Sequence, residues 1–469
     1  MIIRAARTLG ISVLLAVAWA AGAAAAEPAP PPMRLTLDDA RQRALSLGEE
    51  MRSAHARVRE ARGRVREALA GALPQITGFV GYTRQLESIY SNVASDTAFG
   101  NLFKNSPFGA ANSWNAELDA QQLLFSGGKV GAALTAAKSY RHASLEQEKE
   151  TAAEVTFGVT QAYLDAALAS RLLDIAEANL SLAREQLRQV RLYREQGSKA
   201  EYDLLRAQVD AANQEPGVVA ARNALDLAML DLKRLVNLPA EQPVELATDP
   251  VSADGTVPVP AVETLDVSGR PALVAADENV VVYQQAVKAA LADRWPKLTA
   301  NATLSNLAFP SSFTPSTSEF HRNWSAGFTL SFPIFLGFRT EGAAEQARAQ
   351  VQEAEAERDQ LRESVRLEVE RARLQLQNER TLLAAQRQTV RWAKRAYELA
   401  QVRFTNGMAT QLEVSDARVQ MQAAEVHEVQ VMRDYRVALA QLERALGRPL
   451  PVVNRSIDSL DVQSREEGK

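Results

Sequence analysis

The chain has no cysteine among its 469 residues. That excludes disulfide staples, thiolate metal sites, cysteine nucleophiles and a lipidated N-terminal cysteine. Histidine is nearly as scarce, and His55, His142, His321 and His427 are scattered, so no multi-histidine metal centre is expected. Aromatics make up only 6% of residues against 46% hydrophobic, with long tracts of Ala, Leu, Gln, Glu and Arg. Such a composition suits extended helices better than one thick core. Charge of one sign is lacking too. With 53 basic and 57 acidic residues the net charge is −4, so the chain is neither a polybasic nucleic-acid binder nor an acidic solvating tail. Beyond the N-terminus no apolar run reaches the roughly 18 residues of a membrane-spanning helix. Nothing implies a cofactor.

What is present first is an address. Arg4 and Arg7 precede a short apolar run over 11–21, and Ala24-Ala25-Ala26 supplies small residues before Glu27. Residues 1–26 therefore read as a signal peptide cleaved after Ala26. The alternative, a retained anchor, has a run shorter than the ~20 residues a spanning helix needs.

An internal repeat organises the rest. Leu124-Phe125-Ser126-Gly127-Gly128 is matched by Ile334-Phe335-Leu336-Gly337-Phe338, 210 residues on, and the same offset carries Trp114 onto Trp324, Gly197 onto Gly407, Leu232 onto Leu442 and Pro239 onto Pro449. Leu73-Pro74 matches Trp295-Pro296 at an offset of 222, so the first copy holds 12 extra residues before Trp114. A constant offset through strands, a glycine turn and a proline stop marks a tandem duplication. The repeats expected are 27–238 and 271–449, separated by a Pro-rich linker at 239–270 and followed by a polar tail at 450–469.

Each copy opens with a helix: one from the capping-box-like Thr36 and Asp39 to Leu73, the other from about Pro271 to Arg294. Strand-like segments follow, at about 75–125 and 297–335. Trp114, Ala116, Leu118 and Ala120 alternate with Asn115, Glu117, Asp119 and Gln121; Trp324, Ala326, Phe328 and Leu330 alternate with Ser325, Gly327, Thr329 and Ser331. Leu298, Ala300, Ala302 and Leu304 alternate likewise, while Phe79 falls on the polar side of 75–83. Segments of about ten residues with one apolar face suit tilted strands crossing a bilayer. A half-buried strand in a sandwich has the same period, but a sandwich needs many strands at close spacing. Four strands cannot close a barrel, and an open edge cannot face lipid. Two chains would give eight strands with a filled interior; three give twelve and a lumen, so a homotrimer is expected.

After the glycine turns the period becomes helical for about 65 residues, a length near 100 Å. Leu173, Ala176, Leu180, Ala183, Leu187 and Val190 mark a seam, repeated by Leu383, Gln386, Val390, Ala393, Tyr397 and Ala400. Gly197 and Gly407 end these helices. Return helices follow, with Leu204, Leu205 and Ala207, and Val414, Ala417, Met421 and Ala424, as apolar positions. The long helical hairpins span about 128–236 and 339–446. The fold class expected is α plus membrane β: duplicated helical hairpins forming a coiled-coil barrel, with four transmembrane strands per chain.

From Leu35-Thr36-Leu37-Asp38-Asp39-Ala40 to Arg448-Pro449 the chain resembles the TolC-type outer-membrane efflux proteins. Its most characteristic pieces are Tyr193-Arg194-Glu195-Gln196-Gly197-Ser198, then Asp203-Leu204-Leu205-Arg206-Ala207, and the duplicate over 403–417. The resemblance implies a trimer with a twelve-stranded outer-membrane barrel continued by a helical tunnel through the periplasm. It also implies a periplasmic adaptor and an inner-membrane transporter as partners, in efflux or type I secretion. Conduction would be passive. Gly127-Gly128-Lys129 lacks the upstream glycine of a phosphate-binding loop, Leu123 standing there, and no nucleophile, base and orienting group converge.

For sites, the resemblance places Glu413 and Asp416 in an acidic ring at the periplasmic aperture. Three apart, they share a helix face, and three copies would set a cation-favouring ring around one axis. The competing reading is ordinary solvated helix charge, paired with Arg206 or Arg418. Asp203 matches the family gate on the first hairpin. Phe404 lacks the hydroxyl of the family's tyrosine and Ala409 replaces a basic residue, so a latch would run through Arg206 or Arg403. Gly197 and Ser198, with Gly407, Met408 and Thr410, are the expected adaptor-docking tips. The alternative to an exit duct is a periplasmic coiled-coil adaptor or scaffold.

Overall fold

The computed structural model describes residues 32–87, 110–251, 257–260, 266–450 and 452–455; the expected signal segment lies outside them. β1 (Met33–Leu35) leads into α1 (Leu37–Leu47) and α2 (Glu49–Ala70). Thr36 accepts from the Asp39 amide at 3.1 Å, and the Asp39 carboxylate accepts from the Thr36 amide at 3.3 Å, completing a capping box. The single helix expected from Thr36 to Leu73 is instead broken at Gly48. That residue is extended (ψ 141°), and a Cβ there would lie 2.3 Å from the Ala44 carbonyl oxygen. Only glycine fits the corner.

The first repeat continues with β2 (Gln75–Arg84), β3 (Asn112–Phe125), α3 (Lys129–Glu195) and α4 (Glu201–Leu235). The second has α5 (Pro271–Ala292), β6 (Lys297–Ala308), β7 (Phe320–Ser331), α6 (Arg339–Thr405) and α7 (Gln411–Leu446). Between them the proline tract is not a bare linker. It carries β4 (Val244–Leu246), parallel to β1, and β5 (Val257–Pro260), antiparallel to β8 (Val452–Arg455). The start of the expected tail is therefore tied back to the middle of the chain. Pro258 and Pro260 alternate in β5, so both missing N–H groups fall on one side of the strand.

β2, β3, β6 and β7 form one antiparallel sheet in that order. Its register sorts the side chains by face. One row reads Gly78, Leu118, Leu304, Trp324 and the next Ile76, Ala120, Ala302, Ala326. The opposite face carries Thr77, Asp119, Thr303 and Ser325, with a 2.7 Å hydrogen bond from Thr303 to Asp119. Phe79 lies on this polar face, as its position in the alternation implies, and its ring covers Gly81. At the far end Tyr82, Trp114 and Phe313 cluster with centroids 5.0–5.7 Å apart. The Trp114 indole donates to the Phe313 carbonyl at 2.9 Å.

At 67 residues each, α3 and α6 are about 100 Å long. The hairpins pack in a row, α4–α3–α7–α6, with α3 against α7 at the centre. Because α3 has neighbours on two sides, its fully buried line is Ile175, Asn179, Ala183, Gln186 and Val190; Leu173, Ala176, Leu180 and Leu187 of the expected seam are half-buried. Leu205, expected inside, is 53% exposed. The outer helices α4 and α6 keep apolar stripes in the open, Tyr202, Val209 and Leu227 on one and Leu374, Trp392 and Leu399 on the other.

Candidate functional site at the helical tips

Both long hairpins reverse through the same hydrogen-bonded turn. Gly197 and Gly407 each sit at φ 72°, in the left-handed region where a Cβ is unfavourable. In the first turn the Gly197 amide donates to Arg194 O and the Ser198 amide to Tyr193 O, both at 2.8 Å. In the second, Gly407 donates to Phe404 O at 3.0 Å and Met408 to Arg403 O at 2.7 Å. The pattern is a Schellman cap, which satisfies the last carbonyls of the outbound helix. The Ser198 hydroxyl adds a bond to Tyr193 O at 2.8 Å, while Met408 projects with 63% of its surface exposed.

Thr410 then caps α7. Its hydroxyl accepts from the Glu413 amide at 3.3 Å, and its own amide donates to Glu413 Oε1 at 3.2 Å. Glu413 thus serves a capping box, with Arg403 Nη1 3.9 Å from its other oxygen. Asp416, one turn on, is exposed. Of the two aperture candidates it is the carboxylate not used by its own helix.

Asp203 plays the matching local part on α4, accepting from the Ala200 amide at 3.4 Å. It reaches no group on the second hairpin. Arg403 donates to Met408 O at 3.3 Å, inside its own turn, and Arg206 is half-buried on α4. Phe404 is 3% exposed, edge-on to Tyr193 at 6.3 Å, with Lys199 Nζ 4.5 Å above its ring. It packs with Val190, Leu204, Ala207, Tyr397, Val414 and Met421, so it anchors one hairpin on the other by apolar contact.

The bonds that cross between hairpins are different ones. Arg418 Nη2 donates to both oxygens of Asp210, at 2.7 and 2.8 Å, and the Ser415 hydroxyl reaches the same carboxylate at 3.3 Å. Deeper in, Gln186 Nε2 donates to Gln411 Oε1 at 2.7 Å. Burial pushes the neighbouring Tyr397 phenol above its ordinary range, against the pull of Arg418, so it stays neutral. Ala417, expected on the α7 seam, is half-buried against the Phe404 cluster, and the fully buried position beside it is Arg418, four residues after Val414 and three before Met421. A charge at that spacing was the available signal.

Among the described residues no cluster of His, Asp and Glu could hold a metal ion. An apolar-faced open sheet, continued by helices about 100 Å long and ending in charged turns, defines the building block of a membrane duct. The family is one of known ducts. The chain belongs to the outer membrane efflux protein family, whose model matches residues 40–238 and 267–448. It is similar to the pyoverdine export outer membrane protein OpmQ of Pseudomonas aeruginosa, 27% identical over 429 residues that cover 88% of this chain and 85% of that one. In fold it is similar to the outer membrane protein VceC of Vibrio cholerae, with a TM-score of 0.70 at 20% identity, covering 88% of this chain and 97% of VceC. The open state of the MtrE outer membrane channel of Neisseria gonorrhoeae gives a TM-score of 0.70 at 19% identity, with 90% of each chain covered. The protein is an outer-membrane exit duct of an efflux system.

Proposed function

We propose that three copies close one duct, a twelve-stranded barrel in the outer membrane continued by a tunnel of twelve long helices in the periplasm. The observation that carries this reading is that each chain is unfinished at two opposite ends. β2 and β7 are the outer strands of the sheet, and α4 and α6, the outer helices of the row, carry the exposed apolar stripes. A contact joining one end of a copy to the other end of the next is heterologous, and a rotation that returns to the start after three copies makes it a ring. The sheet's outward residues support lipid contact, Ile76, Val80, Trp324 and Phe328 each being more than 70% exposed. A scaffold in water would leave that face uncovered.

In this reading transport is passive and an inner-membrane transporter supplies the energy, coupled through a periplasmic adaptor that docks at the turns around Ser198, Met408 and Thr410. Three copies of Asp416, with Glu413, ring the periplasmic mouth and favour cations. The Asp210–Arg418 pair holds the two hairpins of each copy together there. Glu413→Gln keeps a capping side chain, and with Asp416→Asn it removes the ring's charge. In planar bilayers the double variant is expected to conduct more and to resist block by multivalent cations. A water-soluble monomer that never conducts would sink the duct reading; a conducting trimer with unchanged cation block would sink only the ring.

A further inference from the structure

The duplication sets two versions of one stretch of the sheet's polar face side by side. In the second repeat Asn301 faces Gly327 across β6 and β7, and Thr303 faces Ser325. Asn301 donates to the Thr329 hydroxyl at 2.9 Å and Thr303 to Asp119 at 2.7 Å, so these polar groups are spent on the wall itself. The first repeat departs from this at one cross-strand pair. The counterpart of Asn301, 222 residues earlier, is Phe79, and that of Gly327, 210 residues earlier, is Glu117. The two face each other across β2 and β3. Along the four strands Phe79 is the only Phe, Tyr or Trp on the polar face.

The ring is held in place and left open. Phe79 is 59% exposed, so it does not serve as core. It lies over Gly81, where a Cβ would come within 2.7 Å of its Cε1, and only a residue without a side chain leaves that seat free. Glu117 is held as well: the side-chain amide of Asn115, which faces Gly81, donates to its Oε2 at 3.1 Å. Among the described residues this carboxylate has no basic partner, and the one lysine on the same face, Lys297, pairs with Asp293 at 3.3 Å. Side chains directly opposite each other on a sheet have Cβ atoms about 4.5–5.5 Å apart. An open aromatic face and an unneutralised carboxylate at that spacing attract the same ligand, a cation with an apolar body. The face of the ring draws a charge that comes within about 6 Å of its centroid, and the carboxylate draws it through the same space. We infer that Phe79 and Glu117 form a contact site for organic cations on the polar wall of the sheet, one per chain, with Gly81 and Asn115 as positioning residues. Exposed attractions of this kind are weak, which suits a duct, where a solute must leave as readily as it enters.

The inference rests on the reading in which the polar face lines a lumen, and the two are tested apart. The probe is benzyltrimethylammonium, with benzenesulfonate as its anionic counterpart. Binding to the full chain in a zwitterionic detergent is followed by saturation-transfer NMR against protein-free micelles, and the same preparation is recorded in planar bilayers. The cation is expected to bind saturably and the anion not. Phe79→Leu and Glu117→Gln should each weaken binding about two- to fivefold. Gly81→Val should do the same by unseating the ring, whereas Phe79→Tyr keeps an aromatic face and should keep the affinity. Should Phe79→Leu fail to assemble, Glu117→Gln decides alone. A natural chain that conducts but binds the cation no better than the anion overturns the contact site and leaves the duct. Equal affinity in the natural chain and in Glu117→Gln does so too, as does equal affinity in Phe79→Leu and Phe79→Tyr. A natural chain that conducts nothing overturns the lumen, and the contact site falls with it.

Discussion

Arg418 occupies a position on α7 flanked by Val414 and Met421, with 3% of its side chain exposed. It is tolerated there because Asp210 accepts two of its hydrogen bonds across the hairpin boundary. Two substitutions at this pair should differ. Asp210→Ala leaves a buried guanidinium without its counter-charge, a loss of about 3–5 kcal/mol, whereas Arg418→Met fills the seam and costs less. Thermal unfolding is expected to rank Asp210→Ala as the less stable, and bilayer recordings to give it more open time. Equal losses for the two would contradict a pair that matters by its burial. Glu379 on α6 offers a pH test of a different kind. It is 6% exposed, and burial, opposed by hydrogen bonds from Asn378 and Gln375 and reinforced by Asp434, raises its carboxyl above the ordinary value of 4.5. The folded state therefore binds this proton more tightly than the unfolded state. The resulting stability is complete below the unfolded value and is lost as pH rises through the folded one. Glu379→Gln should raise the melting temperature at pH 7.5 and change it little at pH 4; a uniform shift at both would refute the ionisation argument.

At the scale of elements, the two turns show what repetition fixes and what it leaves free. Gly407 and Gly197 share φ 72° and the same paired carbonyl bonds, so Gly407→Val should cost the turn about 1–2 kcal/mol through left-handed strain. Thr410→Ala removes a cap worth about 1 kcal/mol while leaving the backbone of the turn alone. If adaptor docking depends on the turn's shape, crosslinking yield to the adaptor should fall more for Gly407→Val than for Thr410→Ala. The long helices and the strands of the four-stranded sheet were legible in the sequence because their periods run on for many residues, and offsets of 222 and then 210 gave each a second copy. Breaks and pairings were less so. The first helix breaks at Gly48, where a Cβ would lie 2.3 Å from the Ala44 carbonyl oxygen, a clash that no periodicity reports. The proline tract looked like a linker, yet β4 and β5 pair with strands more than 190 residues away in sequence. At the tip, Glu413 and Asp416 read alike in the sequence until the structure gave Glu413 a local task at the Thr410 cap. The Asp210–Arg418 pair was hidden for a plainer reason: its members lie on different hairpins, and only packing makes them neighbours.

For the whole molecule, the decisive property is which face of the sheet meets hydrocarbon, since the proposed barrel, its closure and the proposed tunnel beneath depend on it. Val80 and Ser325 lie on opposite faces of the four-stranded sheet, Val80 in a row with Ala116 and Ser325 in a row with Thr303 and Asp119. In the proposed trimer an arginine at Val80 would place a charge in lipid, at about 2–4 kcal/mol near the bilayer midplane, and the ring would repeat that cost in each copy. In the same proposed barrel an arginine at Ser325 would face the lumen, where water and the Asp119 carboxylate can receive it. Val80→Arg is therefore expected to abolish the proposed trimer and leave the chain out of the outer-membrane fraction. Ser325→Arg should insert normally and shift the duct's preference away from cations. The two variants add the same charge to the same sheet, so composition and net charge cannot separate them. Only the direction of the side chain can, and similar insertion of both would mean that the apolar face does not meet lipid at all.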